Sequence, residues 1–179
     1  MPYDASVTPR SGINVHALRC DELALVSRVL SHRSRAQHRE RLTRQDRGIF
    51  TYLIAWHGTE PVGHVGIGWP DDRQPERGLE WGDRALVHDL EVVSAHRNEG
   101  VGRALMLELE KRVRERGLAA IGLGTGLDEG HAAARHLYRS LGYAELPQSL
   151  HIESLRLPSD RATVVYLEIV SQWAKTLTS

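Results

Sequence analysis

The chain has a single cysteine, Cys20, in 179 residues, so no internal disulfide can form, and that usage suits a reducing cytoplasm. It has no apolar run long enough to span a bilayer, and the polar stretch Met1–Gly12 lacks an apolar targeting core. An excess of either charge is also missing. Lys plus Arg and Asp plus Glu number 23 each, so no global basic field draws the protein onto nucleic acid or a membrane. There is no internal repeat and no low-complexity tract. What is left is a chain of one-domain length, able to bury a core, read here as a flexible segment over 1–12 and a single domain over 13–179.

The informative residues are concentrated in one stretch. Over Leu90-Glu91-Val92-Val93-Ser94-Ala95-His96-Arg97-Asn98-Glu99-Gly100-Val101-Gly102-Arg103-Ala104-Leu105, an apolar strand passes through an arginine and two glycines into an amphipathic helix. Gly100 and Gly102 carry no Cβ, so the backbone can turn sharply and a ligand can lie on its amides. The first turn of the helix has amides without intrahelical partners, and the helix dipole adds partial positive charge at the same place. Together these make an anion cradle that suits a phosphate or pyrophosphate. Two other phosphate loops are excluded by what is missing. No Gly-Lys-Ser/Thr follows, as a nucleotide-triphosphate P-loop requires, and Leu105 stands where a dinucleotide fingerprint needs its third glycine. The glycine-rich runs 63–68 and 122–126 read as strands with small residues.

The spacing Arg97-x-x-Gly100-x-Gly102 after a strand resembles the acyl-CoA signature of the GNAT superfamily of N-acetyltransferases. A second motif follows about thirty residues on, the distance of one helix plus one strand. It reads Ala134-x-x-Leu137-Tyr138-x-x-x-Gly142-Tyr143, and the resemblance extends in outline over roughly residues 13–145. It implies an α/β fold: a single-domain mixed central sheet flanked by helices, with splayed central strands. It also implies acetyl-CoA as co-substrate and no metal. The pantetheine arm would then lie against the backbone of Val92 and Val93. The pyrophosphate would fall on the amides of Asn98, Glu99, Gly100, Val101, Gly102 and Arg103, with the Arg97 and Arg103 side chains as charge partners. His131 stands where asparagine is usual in the family, at a cofactor-contact position. Tyr138 aligns with the tyrosine often credited as general acid; its other reading is core filling with the hydroxyl satisfied.

Acetyl transfer to an amine also needs a group that takes the amine's proton. His88, Asp89 and Glu91 lie on the strand before the cradle, and alternation puts Asp89 and Glu91 on the face opposite His88 unless a bulge intervenes. His88, with an ordinary pKa of about 6.5, and Glu91 are the candidates. Some family members use a histidine at the matching place, others a glutamate nearby or water.

Hydrophobic periodicity supplies the rest of the fold. Ile13–Arg19 alternates as a half-buried strand, and Asp21 is placed to cap a helix with the stripe Leu23, Ala24, Val26, Leu30. A basic helix follows from about Arg35 to Asp46, ended by Gly48. Strands are expected over Ile49–Trp56, Val62–Trp69 and Ala85–Val93, with an exposed loop over Pro70–Gly82. Leu105, Leu109 and Val113 face the sheet from the helix after the cradle. Glu108 with Arg112 and Glu110 with Arg114 are assigned to its solvated side, and Gly117 stops it. A strand Leu118–Leu127, a helix His131–Leu141 and a hairpin of Leu150–Leu157 with Thr163–Val170 about Pro158-Ser159-Asp160 complete a mixed α/β sandwich.

The acceptor stays open at this level. Asp71, Asp72, Glu76, Glu80 and Asp83 on one side suit a cationic amine, whereas Arg33, Arg35, Arg39, Arg41 and Arg44 suit an acidic molecule, and either set also reads as a solvated face. The expected partners are acetyl-CoA and an amine on a small molecule or peptide, in the cytoplasm. No membrane is expected, and a homodimer is compatible with the family. Two other functions compete: an acyl-CoA-binding sensor or scaffold without turnover, and a nucleic-acid binder using the arginines from Arg28 to Arg47. Balanced net charge and the lack of an aromatic-interleaved basic sheet count against the last.

Overall fold

The computed structural model describes residues 12–70, 84–156 and 163–177, with side chains described up to 147 and again from 170. The segment before Gly12, the acidic residues Asp71, Asp72, Glu76, Glu80 and Asp83, and the Pro158-Ser159-Asp160 turn lie outside the described residues. Strands β1 (Ile13–Ala17), β2 (Phe50–His57), β3 (Glu60–Gly68), β4 (Ala85–Val92), β5 (Ala120–Gly126), β6 (Ala144–Arg156) and β7 (Thr163–Thr176) form one sheet in the order β1-β2-β3-β4-β5-β7-β6. Every neighbouring pair is antiparallel except β4 and β5, which run parallel.

Both faces of the sheet are covered, so the middle of β2, from Tyr52 to Trp56, can be buried on both sides. Phe50, Tyr52, Ile54 and Trp56 pack with Leu23, Val26, Leu30 and Leu42 of helices α1 (Leu23–Val29) and α2 (Arg35–Asp46) and the chain between them. The alternate residues Leu53 and Ala55 pack with Val101, Leu105, Leu109 and Val113 of α3 (Val101–Glu115). Tyr138 and Leu141, on and just after α4 (Ala132–Ser140), join that second core with Trp173 of β7. The result is the α/β class expected, a mixed sheet between helical layers. The last hairpin differs in detail. Its strands are longer than the apolar pattern indicated, and β7 pairs with β5 from Gly126↔Val170 to Ala120↔Thr176, so β6 becomes the edge.

Two local expectations need correction. Asp21 does not cap α1; it lies in a 3₁₀ turn over Cys20–Glu22, where the Glu22 carboxylate accepts the Arg19 N–H at 3.0 Å. Ser34 is the side chain that caps a helix here, accepting from the Gln37 N–H at 3.3 Å while Gln37 accepts from the Ser34 N–H at 2.8 Å. Glu110 is not on a solvated face. It is 1% exposed, and Lys175 of β7 reaches both of its carboxylate oxygens at 2.8 and 2.9 Å. That partner is 65 positions away and arrives only because β7 returns alongside β5.

The parallel pair is short. β4 and β5 are registered only at Ala85↔Ile121 and Leu86↔Gly122, after which they part, leaving the remainder of β4 with β3 as its partner and an open edge towards β5. β3 is held close along that length by Gly63, where a Cβ would lie 2.8 Å from the Glu91 carbonyl oxygen and 3.3 Å from Val101 Cγ1. Gly63→Ala therefore lowers stability by about 1–3 kcal/mol, because a strand backbone cannot swing aside as a side chain can. Urea denaturation should show a lower midpoint at unchanged slope; an unchanged midpoint would mean that β4 yields at Glu91 without cost.

Candidate active site

The open edge of β4 carries an irregularity that alternation alone does not show. Between the register pairs Gly66↔His88 and His64↔Glu91, β4 has one residue more than β3. Asp89 takes up the surplus in a left-handed conformation, φ +52°, which aspartate tolerates better than most side chains. His64 and Gly66 share a strand face, so their partners Glu91 and His88 share one too. The expected opposition of His88 and Glu91 is thus corrected, through the bulge that was its stated exception. His88 packs near Phe50, with ring centroids 5.7 Å apart, on the side of α1 and α2.

Two arginines hold the bulge. Arg33 Nη2 meets Asp89 Oδ1 at 2.7 Å, and Arg41 Nη2 donates to Asp89 Oδ2. Arg41 is 8% exposed, with its guanidinium 5.0 Å from the centre of the Tyr52 ring. Arg44 lies over Phe50 at 4.4 Å. These three arginines of the basic helix and the turn before it therefore serve the interior, while Arg28, Arg35, Arg39 and Arg47 stay exposed.

Glu91 sits between two histidines. His64 Nε2 approaches its Oε2 at 3.3 Å from the buried side, and His32 Nε2 approaches its Oε1 at 3.4 Å from the surface. The Glu91 side chain is 28% exposed, so solvent or a ligand can reach it. The interaction with His64 holds its carboxyl below the ordinary 4.5. Burial pushes the His64 imidazole below 6.5, so at neutral pH an uncharged ring faces an ionised carboxylate. Behind them, His38 Nε2–H donates to the Leu30 carbonyl at 3.1 Å, which leaves Nδ1 of the neutral ring to accept from the Tyr52 hydroxyl at 2.9 Å. Burial also lowers the His38 pKa and raises that of Tyr52 to about 12. Neither His64 nor His38 was picked out from sequence, since a single histidine on a strand or helix carries no periodic signal.

The turn after β4 is built from left-handed residues. Asn98 has φ +63° and Gly100, the N-cap of α3, φ +85°. Alternation of this kind converges successive backbone N–H groups. The ladder of α3 starts with Ala104 donating to the Gly100 carbonyl at 2.9 Å, so the amides of Val101, Gly102 and Arg103 have no place in it. Gly102 differs from Gly100 in what its lack of a Cβ does. A Cβ there would come within 3.2 Å of Leu137 Cδ2 on α4 and 3.8 Å of Val92 Cγ2, so it lets α4 close on the end of β4.

The remaining predicted contacts are already engaged within the chain. Arg97 Nε donates to the Val92 carbonyl at 3.2 Å, on the edge of β4 turned away from β3, while the Val93 N–H donates to the Val62 carbonyl of β3 at 2.9 Å. Arg103 Nη2 donates to Ser140 Oγ at 2.8 Å and so ties α3 to α4. Glu99 Oε2 pairs with His96 Nδ1 at 3.0 Å. His131 Nδ1 pairs with Asp128 Oδ2 at 2.7 Å, an interaction that lowers the Asp128 pKa, in the turn that leads into α4. Tyr138 is buried, its ring 5.9 Å from Tyr143 and 6.3 Å from Trp173, and burial alone raises its phenol to about 12. It lies in the α3–α4 core, on the opposite side of the sheet from His64.

Residues 16–143 match the model of the Acetyltransferase (GNAT) family. The chain belongs to that family of acyltransferases. Streptothricin acetyltransferase of Streptomyces lavendulae is 38% identical over 64 residues, a match covering 36% of this chain and 33% of that protein's length. Among solved structures, the ribosomal-protein-alanine N-acetyltransferase of Brucella melitensis superposes with a TM-score of 0.68 at 18% identity, covering 92% of this chain and 99% of the other. The structure of yncA from Salmonella typhimurium with its cofactor acetyl-CoA gives 0.67 at 16%, covering 94% and 95%. At these identities the structural likeness concerns the fold.

The buried histidines make stability depend on pH. His38 and His64 titrate below 6.5 when folded, so as pH falls below that value the unfolded chain binds more protons than the folded one and stability drops. Urea unfolding at about pH 7.5 and about pH 5.5 should show the loss, above the range where Glu91 contributes. His38→Gln should flatten the dependence; an identical dependence in variant and wild type would show that the buried ring titrates as in water.

Proposed function

We propose that this chain is an acetyl-CoA-dependent N-acetyltransferase that moves an acetyl group to a primary amine of a small molecule or peptide within a ternary complex. One observation carries the reading: β4 leaves β5 after two registered pairs and passes through a 3₁₀ turn at Ser94–His96 into a turn with two left-handed residues at the start of α3. An opening of that kind takes an extended arm, and the turn beyond it takes a diphosphate. Family membership and a structural neighbour solved with acetyl-CoA support the same co-substrate.

The residues divide the work as follows. Amides from Asn98 to Arg103 bind the diphosphate, and the Arg97 and Arg103 guanidiniums, each anchored through one nitrogen, have others to offer it. The Val92 carbonyl uses one lone pair on Arg97 and keeps the second for an amide of the pantetheine arm. His131, at the turn before α4, is the position for a further cofactor contact. The bound thioester supplies an activated acetyl group; the amine forms the new C–N bond as the C–S bond breaks. Glu91 takes the amine's proton, in preference to His88, whose ring packs beside Phe50. Tyr138 keeps its proton at neutral pH, because about 12 lies well above a thiol's range of about 8.5. It therefore donates a hydrogen bond to the departing sulfur before giving up a proton.

Streptothricin is the acceptor named for one relative and a ribosomal-protein alanine that for another, so both head an acceptor screen. CoA release across that panel separates this function from an acyl-CoA sensor that binds without turnover. For the cofactor, calorimetry on the wild type and two Gly100 variants gives a charge-specific test. Aspartate and asparagine both tolerate a left-handed φ, but only Gly100→Asp brings a negative charge to the cradle. Acetyl-CoA affinity should fall at least about tenfold further in Gly100→Asp than in Gly100→Asn, about 1.4 kcal/mol; equal affinities would sink the cradle. Tyr138→Phe removes only the hydroxyl, so turnover should drop about tenfold or more with the acetyl-CoA dissociation constant kept. Full turnover in that variant would end the acid assignment.

A further inference from the structure

Next to Glu91 lies a buried ionisable side chain that the reaction as described does not use. His64 is 1% exposed, edge-on to Tyr52 at 5.4 Å and to His38 at 6.2 Å. Neither of its ring nitrogens makes a well-aligned hydrogen bond, although Nε2 is 3.3 Å from Glu91 Oε2. An apolar side chain would fill this volume without leaving polar atoms dry, so packing does not account for an imidazole. A carboxylate at that distance selects the tautomer with hydrogen on Nε2. Hydrogen bonds of catalytic groups are often long without substrate and tighten when it docks.

We propose that His64 is a positioning residue for Glu91: its Nε2–H holds Oε2 from the buried side, leaving Oε1 to take the acceptor's proton. This rests on the reading of Glu91 as proton acceptor. The ammonium form of the acceptor gives one proton to Oε1 before attack, the carboxylate becomes a carboxylic acid, and His64 stays neutral throughout. The nitrogen's second proton leaves after attack and ends on the thiolate sulfur, so the thiol departs. His32, beside Oε1 with its side chain 76% exposed, is the group the incoming amine displaces.

The surroundings favour an uncharged donor. Arg33, Arg41 and His38 face the pair from the α1–α2 side, Tyr52 from β2 and Asp89 from β4. Both arginines oppose a positive charge on His64, burial opposes it more, and Glu91 favours it.

The test uses the full chain and two variants. His64→Leu removes the donor; His64→Gln keeps an N–H of similar reach. Carbon NMR titration of the Glu91 carboxyl needs no turnover. In His64→Leu that carboxyl should titrate at higher pH than in wild type, and in His64→Gln it should lie between the two. The acid limb of kcat/KM should move up in the same order and kcat should fall about tenfold in His64→Leu, with the acetyl-CoA dissociation constant unchanged. If Glu91 titrates alike in wild type and His64→Gln as well as His64→Leu, or the acid limb stays fixed while stability falls, His64 is structural and the inference is overturned. Should His64→Leu fail to fold, an unshifted Glu91 in His64→Gln and in His64→Asn overturns it equally. A wild type that binds acetyl-CoA but acetylates no amine would instead defeat the function reading, a result separable from these because turnover itself is absent.

Discussion

Asp89 adopts a left-handed conformation because β4 carries one residue more than β3 between His88 and Glu91, and that surplus is held in place by the guanidiniums of Arg33 and Arg41. A backbone in that region costs about 1–3 kcal/mol and persists only where its surroundings over-determine it. Here two charges do so, one of them on a residue that is 8% exposed. The anchoring runs both ways, since a buried guanidinium needs a carboxylate as much as the bulge needs an anchor. Without the surplus residue Glu91 would face α3 and its approach to His64 would be lost. The ion pairs thus support the register that puts Glu91 on the α1–α2 side of the sheet, beside His64.

The sheet's opposite side keeps the Tyr138 phenol protonated by a different device. Tyr138 has no charged neighbour among the causes of its raised pKa; burial in the core shared with Tyr143 and Trp173 is sufficient. A carboxylate kept ionised on one face and a phenol kept protonated on the other are what an acyl transfer to an amine asks of its base and acid. Between those faces, β4 and β5 are registered only at Ala85↔Ile121 and Leu86↔Gly122.

Local features of this arrangement could be read from the chain, and non-local ones could not. The turn and helix after β4 depend on residues 97–105 alone, so Gly100 at φ +85° follows from the glycine spacing. The second motif is equally local, which is why α4 and Tyr138 fall near their expected positions. The bulge depends on the register of a second strand, and nothing in the order His88-Asp89-Leu90-Glu91 shows that register. His64 lies 27 positions before Glu91 and meets it only across the β3–β4 pair. The burial of Glu110 was missed for a related reason: i,i+4 spacing to Arg114 is a helix-surface signal, whereas Lys175 arrives from a strand inserted out of order. Polar residues in this chain reveal their roles only once strand order is known.

Glycine illustrates the same division within a single motif. Gly100 is needed for its dihedral angle, which any strand-to-helix turn of this shape would demand. Gly102 eases the approach of Leu137, which belongs to a helix some thirty residues later. The two glycines that read as one phosphate signature therefore answer to two constraints, one from the ligand-facing turn and one from the packing of α4 against β4. Because Arg103 also bonds Ser140, the cradle and the helix bearing Tyr138 are fastened together at two adjacent positions. The turn proposed to hold a diphosphate and the helix bearing the phenol are for that reason mechanically linked, and a change at either position acts on both.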